Sequence, residues 1–136
     1  MHGCRVVLVR THYPGNLGAT ARVMHNFGLT QLVLVDPQAE IHDREARRLS
    51  THGEFILDQA RIVPDLATAV ADCTLVAGTS AQTKGLFRGT TAGSVRALMP
   101  RVAETLSVGP VAIVFGPEPN GLTKREIGRA SCRERV

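Results

Sequence analysis

Short apolar runs alternate along this chain with stretches in which apolar residues recur at helical spacing. Four nearly unbroken apolar runs predict strands over residues 5–9, 31–35, 73–78 and 111–115, and a weaker run predicts another over 60–63. Runs this continuous are typical of strands that are covered on both faces. The alternation therefore predicts an α/β domain with a mostly parallel sheet and helices on both faces.

The segments between these runs predict the crossover helices. Residues 16–27 carry one apolar stripe, made of Leu17, Ala21, Met24 and Phe27. We expect Asn16 to be the N-cap of this first helix and Gly28 to be the residue that ends it. Shorter helices are predicted over 44–52, 64–71 and 95–106, and a long loop over 82–91.

Composition and charge add limits to this picture. A chain of 136 residues with 43% hydrophobic and 21% charged residues is one ordinary globular domain. The formal net charge of +4 permits an anionic partner, although three arginines and one glutamate after residue 128 supply half of it. Few aromatic residues argue against an extended base-stacking platform.

Three dispersed cysteines indicate a reducing compartment, and no apolar run is long enough for a membrane span, so we expect a cytoplasmic protein.

The first candidate site is the segment Pro14-Gly15-Asn16-Leu17-Gly18-Ala19-Thr20-Ala21-Arg22, where the first strand passes into the first helix. Ligands of open α/β sheets gather beyond the carboxyl ends of strands. Arg22 follows Gly18 by four residues, so both lie on one helix face, where a phosphate or ribose can approach the backbone at Gly18. The alternative is that Asn16 only caps the helix and Arg22 is a solvated charge. Gly15 and Gly18 do not have the spacing of a dinucleotide-binding loop.

The second candidate is the loop Phe115-Gly116-Pro117-Glu118-Pro119-Asn120-Gly121-Leu122-Thr123, which leaves the last predicted strand. Two prolines and two glycines within six residues give a rigid backbone that carries one carboxylate, Glu118. Thr123 and Glu126 have capping-box spacing, so a plain strand-to-helix turn is the alternative. The third candidate, Ala77-Gly78-Thr79-Ser80-Ala81, ends a strand in small residues that let backbone groups face a ligand.

Other kinds of chemistry have no support in the sequence. The five histidines are dispersed without the spacing of metal ligands, and no metal is expected. No nucleophile elbow or other activated nucleophile is present, so the hydrolase hypothesis is not favoured.

Taken in order, these three motifs closely resemble those of the SpoU/TrmH family of the SPOUT superfamily, over about residues 5–127. The matching positions are Pro14, Asn16, Gly18 and Arg22 with Asn26-Phe27-Gly28, then Gly78-Thr79-Ser80, then Phe115 to Glu118 with Gly121, Leu122 and Thr123. The resemblance implies an S-adenosylmethionine-dependent methyltransferase that acts on a ribose 2′-OH of RNA. It is most similar to the bacterial branch that acts on the tRNA anticodon loop, with rRNA as the other possible substrate. It also implies a trefoil-knot domain that works as a homodimer, without membrane or metal partners.

The resemblance assigns roles to residues of this chain. Catalytic roles fall on Asn16, Arg22 and Glu118, and RNA contacts on Asn16, Gly18 and Arg22. The implied cofactor pocket consists of Thr79, Ser80, Ala81, Gly116, Pro117, Glu118 and Leu122. In the family this arginine is implicated in accepting the hydroxyl proton. Because a guanidinium stays charged at neutral pH, we expect Arg22 instead to align the phosphate and the hydroxyl.

The end of the chain departs from the family. Members continue into a third motif, rich in Ser, Leu and Asn, which threads the knot, whereas residues 129–136 here read Arg-Ala-Ser-Cys-Arg-Glu-Arg-Val. We therefore expect an incomplete methyltransferase domain over 1–127, without its knot-forming segment, and a non-native or disordered tail over 128–136.

Two other functions remain open at this point. One is a catalytically inactive fragment, or an RNA-binding dimer, that retains the fold. The other is a small-molecule nucleotide enzyme of the α/β class. Binding of S-adenosylmethionine distinguishes the methyltransferase from both.

Overall fold

The computed structural model of this chain describes residues 3–78, 95–117 and 134–135. Its elements follow the alternation that the sequence predicts. In chain order they are β1 Cys4–Val9, α1 Pro14–Asn26, β2 Gln31–Val35, α2 Arg44–Ser50, a 3₁₀ turn Thr51–Gly53, α3 Glu54–Asp58, β3 Arg61–Val63, α4 Leu66–Val70, β4 Leu75–Gly78, α5 Val95–Leu106, β5 Val111–Phe115 and β6 Glu134–Arg135.

The strands form one sheet in the order β3-β2-β1-β5-β4-β6, and every pairing between described strands is parallel. The α/β class and the parallel sheet are thus confirmed, and each of the five predicted strands is present. β4 starts two residues later than predicted: the Cys73 amide still donates to the Val70 carbonyl of α4 at 3.0 Å, and Thr74 lies in a bend before the strand.

Helices cover both faces of the sheet, as expected. Alternate residues of a strand point to opposite faces, and on β1 Val6 and Leu8 pack in the cluster with α1, α2 and α3, whereas Val7 and Val9 pack with α4. α5 packs on β4 and β5 through Leu98 and Val102. The parallel register puts this contact on the same face as α1. Among the described residues, a strip of that face between α1 and α5 is left uncovered.

The start of α1 corrects one prediction. The helix begins at Pro14 with Tyr13 at the N-cap position, so Asn16 lies inside the first turn and is not the cap. Proline is favoured at the first helical position because its fixed φ suits a helix and it has no amide hydrogen to satisfy. The other end is as predicted: Gly28 has a φ of +73°, and the Leu29 amide donates to the Met24 carbonyl at 2.8 Å.

The region after β2 differs from the single helix predicted over 44–52. α2 ends at Ser50, Thr51 has a φ of +48°, and a 3₁₀ turn leads into α3, which the sequence reasoning missed. α3 has five residues, too few to show a helical period. The predicted helix over 64–71 is the shorter α4, capped by Asp65, whose side chain accepts from the Thr68 amide at 2.7 Å.

Several expectations lie partly or wholly outside the described residues. The loop over 82–91 and the capping box at Thr123 and Glu126 are not described, nor is most of the predicted tail. Two tail residues, Glu134–Arg135, pair with Ala77 and Gly78 as the short strand β6. The domain boundary after residue 127 and the missing knot segment stay predictions. Within the described ranges, no helix is long and apolar enough to cross a membrane.

One buried charge lies at the amino edge of the sheet. Arg5 is on β1, and its guanidinium donates to both carboxylate oxygens of Asp72 at 2.7 and 2.9 Å and to the Ala69 carbonyl at 2.8 Å. These bonds tie the turn after α4 to the central strand. The hydrogen bonds from Arg5 lower the pKa of Asp72 from 3.8 to about 2, against a smaller opposing effect of burial.

This pair predicts a defined loss of stability in acid. Because the folded state lowers the pKa of Asp72, its contribution is complete above pH 4 and is lost as the pH falls through about 2. The Asp72 side chain is 61% exposed, so we discount the shift to about 1 kcal/mol. Urea unfolding across this pH range measures the free energy of unfolding of the wild type and of Asp72→Asn. The difference between the two proteins should become smaller as the pH falls toward 2. A gap that does not change with pH would contradict the assignment.

Candidate ligand site at the carboxyl edge of the sheet

The three candidate segments leave three neighbouring strands at the same edge of the sheet. β5 lies between β1 and β4, and Val114 is in register with Val7 on one side and Gly78 on the other. The chain runs from β1 through β2 to β3 on one side and returns through β4 and β5 on the other. The boundary between β1 and β5 is therefore the switch point of the sheet, where ligands of open α/β folds bind.

The backbone after β1 is held rigidly at this edge. Arg10 has a φ of +47° and its amide donates to the Val35 carbonyl at 2.8 Å. Thr11 is buried, and its carbonyl accepts from the amides of Gln38 and Ala39 at 3.0 and 2.9 Å. A non-glycine residue in the left-handed region is uncommon, and surrounding contacts must maintain it. The chain therefore enters α1 along a fixed path.

A cavity of about 510 Å³ lies on the strip of sheet between α1 and α5. Its lining comes from β1, from one side of α1 along most of its length, and from β5, and consists of Val6, Leu8, Thr11, Asn16, Ala19, Thr20, Val23, Met24, Leu29, Ile113, Phe115 and Gly116. The wall is mostly apolar, with Asn16 and Gly116 at its carboxyl-edge end. The structure thus brings the first motif and the start of the last one together, although about 100 positions separate them in the chain.

The predicted cofactor residues divide between described and undescribed positions. Gly116 is half-buried and lines the cavity, and Pro117, which follows it, is buried. The remaining predicted cofactor residues, Thr79, Ser80, Ala81, Glu118 and Leu122, lie outside the described residues, as does the catalytic assignment of Glu118. Gly78, which precedes three of them, ends β4 beside Val114.

The three predicted RNA contacts occupy different sides of α1. Asn16 is exposed and lines the cavity, whereas Arg22 is exposed but is not part of the cavity wall. Arg22 forms no ion pair with any residue of the described ranges. Its guanidinium is therefore available to an anionic ligand outside this chain's own cavity.

The room expected beside Gly18 is filled. Gly18 is buried, and a Cβ on it would overlap the carbonyl oxygen of Ala46 on α2. The geometry behind this prediction was wrong, because the bare side of Gly18 faces α2 and not a ligand. Gly53 has the corresponding role on the 3₁₀ turn, where a Cβ would overlap the Ala21 carbonyl of α1. These two glycines let α2 and the 3₁₀ turn approach the backbone of α1.

A second cavity, of about 650 Å³, lies beyond the ends of β2 and β3, where the sequence reasoning placed no site. Asp36, Glu40 and His42 contribute its charged and polar groups. Two carboxylates make it unsuited to a phosphate. Its size exceeds that of the cavity beside α1, but its wall contains no residue of the three motifs. In the part of the chain that the structure describes, no group of three or more His, Cys, Asp or Glu residues can hold a metal ion.

Comparison with known proteins identifies the family of this chain. The family model described as the SpoU rRNA Methylase family matches residues 3–136. A tRNA (cytidine/uridine/adenosine-2′-O-)-methyltransferase, TrmJ, from Pseudomonas aeruginosa is 42% identical over 131 residues, which is 92% of this chain and 48% of that protein. TrmJ from Yersinia pestis is 41% identical over 127 residues, at 93% and 48% coverage. The chain thus spans about half the length of the curated relatives it matches.

Solved structures share the fold. TrmJ from Z. mobilis superposes with a TM-score of 0.79 at 32% identity, covering 97% of this chain and 57% of that one. The SpoU methyltransferase AviRb from Streptomyces viridochromogenes superposes with a TM-score of 0.64 at 20% identity, covering 98% of this chain and 48% of that one. At that identity the second likeness concerns the fold alone.

The packing of α1 predicts different outcomes for two glycine substitutions on the same helix. A Cβ on Gly18 meets the Ala46 backbone, which cannot move easily, so Gly18→Ala should lower the free energy of unfolding by roughly 1–3 kcal/mol. A Cβ on Gly15 meets the end of the Leu49 side chain at 3.1 Å, which can rotate away. Gly15→Ala should therefore be neutral within about 0.5 kcal/mol. Urea unfolding measures both, and equal losses would contradict this account of the helix contact.

Proposed function

Because this chain belongs to the SpoU rRNA methylase family, we propose that it carries out S-adenosylmethionine-dependent methylation of a ribose 2′-OH in RNA, with tRNA as the substrate. The names of the relatives at about 40% identity support tRNA over rRNA. They also favour an enzyme over a non-catalytic RNA-binding dimer. A cytoplasmic location is part of the proposal, since tRNA is modified there.

One observation carries the proposal at the level of structure. Three segments that are remote in sequence leave the adjacent strands β1, β5 and β4 at one edge, and the end of β5 shares a cavity with Asn16. A transfer between two bound molecules requires that both be held at one place. The carboxyl edge provides such a place, with the α1 side available to RNA and the β4–β5 side to a methyl donor.

The residues on the β4–β5 side suit a nucleoside-type cofactor. Gly116 has no side chain and is half-buried at the cavity wall after β5, so its backbone N–H and C=O groups can face a ligand, and the buried Pro117 fixes the path of this segment. In our proposal the adenosyl group is held by Gly116 and Pro117, together with Thr79, Ser80, Ala81, Glu118 and Leu122. When bound, the cofactor would supply an electrophilic sulfonium methyl group to the 2′-oxygen, with S-adenosylhomocysteine as the leaving group and a phosphate oxygen of the substrate as the acceptor of the hydroxyl proton.

Asn16 and Arg22 form the RNA side of the proposed site. The Asn16 amide lies at the cavity wall, where it can donate to or accept from the ribose. Arg22 presents a planar set of donors that fits a phosphate in a bidentate manner. We assign it the alignment of the substrate phosphate with the 2′-hydroxyl and the stabilisation of charge in the transition state. Gly18 supports this site through the packing of α1, without a direct contact to RNA.

A homodimer is the assembly that we propose. Arg22 lies outside the cavity of its own chain, which fits a site completed by the cofactor pocket of a second copy. Apolar side chains here are exposed: Val23 at 53% and Phe115 at 40% line the cavity, and Phe27, at 71%, follows α1. Exposed apolar surface at a pocket is typical of interaction sites, and two-fold pairing uses the same surface on both copies.

Calorimetry with S-adenosylmethionine, followed by nucleoside mass spectrometry, tests the function. We expect one cofactor site per chain. Incubation with an unmodified tRNA transcript should then yield a 2′-O-methylated nucleoside. S-adenosylhomocysteine should compete for the same site, whereas NAD should not bind. Absence of cofactor binding by a folded sample would contradict the proposed enzyme and favour a non-catalytic RNA-binding protein.

Substitution of Arg22 tests its proposed alignment role. Arg22→Lys keeps the charge but removes the bidentate fork, so kcat/KM for tRNA should fall by roughly 10- to 100-fold. Binding of S-adenosylmethionine, measured by calorimetry, should stay within about twofold. Arg61→Lys is the matched control, because Arg61 is exposed at the start of β3, far from the proposed site. Near-wild-type turnover by Arg22→Lys would show that alignment by the guanidinium is not needed.

A further inference from the structure

Tyr13 is an aromatic side chain that the proposed function has not used. It is the single tyrosine of a chain without tryptophan, and it is 57% exposed. It occupies the N-cap position of α1, where its backbone is extended, with φ −104° and ψ 123°. Its side chain makes no capping hydrogen bond to the helix. The ring therefore has no part in capping α1.

The backbone that carries Tyr13 is fixed from both sides. The Asn16 amide donates to the Tyr13 carbonyl at 3.0 Å, and Pro14 restricts the residue before it to extended conformations. Two residues earlier, the buried Thr11 is held by the two hydrogen bonds to its carbonyl. An exposed ring on a rigid backbone loses little conformational entropy when a ligand covers it. Tyrosine adds large contact area with only two side-chain torsions.

Tyr13 also lies beside the proposed RNA site. Thr11 and Asn16, which precede and follow it closely in the chain, both line the cavity at the switch point. An RNA whose ribose is held at Asn16 must place its neighbouring nucleotides over this segment. Phosphates of that RNA have Arg22 as a partner, whereas an uncharged ring is suited to a base.

We propose that Tyr13 stacks on an unpaired nucleobase of the RNA substrate, at or next to the nucleotide that is methylated. The inference rests on the proposed RNA methyltransferase function and assigns a base contact to it. Bases in single-stranded loops are splayed out and are commonly recognised by stacking on aromatic side chains. Every base has a π face, so this contact supplies affinity and positioning and tolerates different bases.

The single tyrosine allows a direct measurement. Incorporation of 3-fluorotyrosine labels Tyr13 alone and gives one fluorine NMR resonance for this chain. Titration with an RNA hairpin of anticodon stem-loop design should move that resonance, because a stacked base changes the ring-current field. The shift should saturate with the same Kd as the fluorescence anisotropy of the end-labelled hairpin.

Two substitutions of Tyr13 distinguish the contribution of its aromatic ring from that of apolar bulk. Tyr13→Phe keeps the ring and should bind the hairpin within about twofold of the wild type. Tyr13→Leu keeps apolar bulk without a ring and should weaken binding by roughly 5- to 100-fold, the range for loss of one base–aromatic stack. For the same variant KM for tRNA should rise and the Kd for S-adenosylmethionine should not change. Val108→Ala is the control, because Val108 is an exposed apolar residue before β5, at the opposite edge of the sheet, and should leave RNA binding unchanged.

The outcomes distinguish this inference from the function on which it rests. Hairpin binding and methyl transfer without a change at the fluorine resonance, or with full affinity in Tyr13→Leu, would overturn the stacking role and leave the methyltransferase intact. Failure of the wild type to bind any RNA would overturn both. A resonance that moves with protein concentration in the absence of RNA, and not further with RNA, would show that a second copy covers Tyr13, which also overturns the inference.

Discussion

The close approach of α1 to its neighbours is the constraint on which the candidate site depends. Gly18 removes the side chain that would separate α1 from the Ala46 carbonyl of α2, and Gly53 does the same between the 3₁₀ turn and Ala21. Interiors pack at nearly crystalline density, so a helix held at backbone contact cannot shift without disturbing both partners. α1 carries Asn16 and Arg22, and their separation from the sheet edge is therefore set by two buried glycines.

The strand order brings the ends of strands that are far apart in the sequence to one edge of the sheet. β5 is inserted between β1 and β4, so the strand that leads into the last motif lies between the strands that lead into the other two. The helices that connect β1 to β2 and β2 to β3 pack on one face of the sheet, whereas α4, which connects β3 to β4, packs on the other face. This arrangement is expected because crossovers between parallel strands are right-handed. The uncovered strip beside β1 and β5 follows from this reversal, and the cavity occupies it.

Much of the fold was predictable because its signals are local. Continuous apolar runs identified the strands, and the stripe on α1 identified the first crossover. The sequence does not reveal α3, because five residues cannot display a helical period. Asn16 has a side chain suited to an N-cap, but Pro14 sets the start of α1, because proline is favoured at the first helical position. The misreading of Gly18 has a different origin: helix spacing shows which residues share a face, but only the tertiary packing of α2 shows what that face meets. The resemblance to the family identified the motifs, whereas the structure was needed to show that Arg22 lies outside the cavity of its own chain.

The ion pair of Arg5 with Asp72 lies at the amino edge, as far along the strands as possible from the proposed site. The ion pair and the proposed site therefore share no residue. Substitutions among the segments at the carboxyl edge can alter the proposed site while the ion pair between β1 and the turn before β4 stays unchanged. Relatives that have diverged toward new substrates should therefore differ most at one end of their strands and retain a comparable anchor at the other.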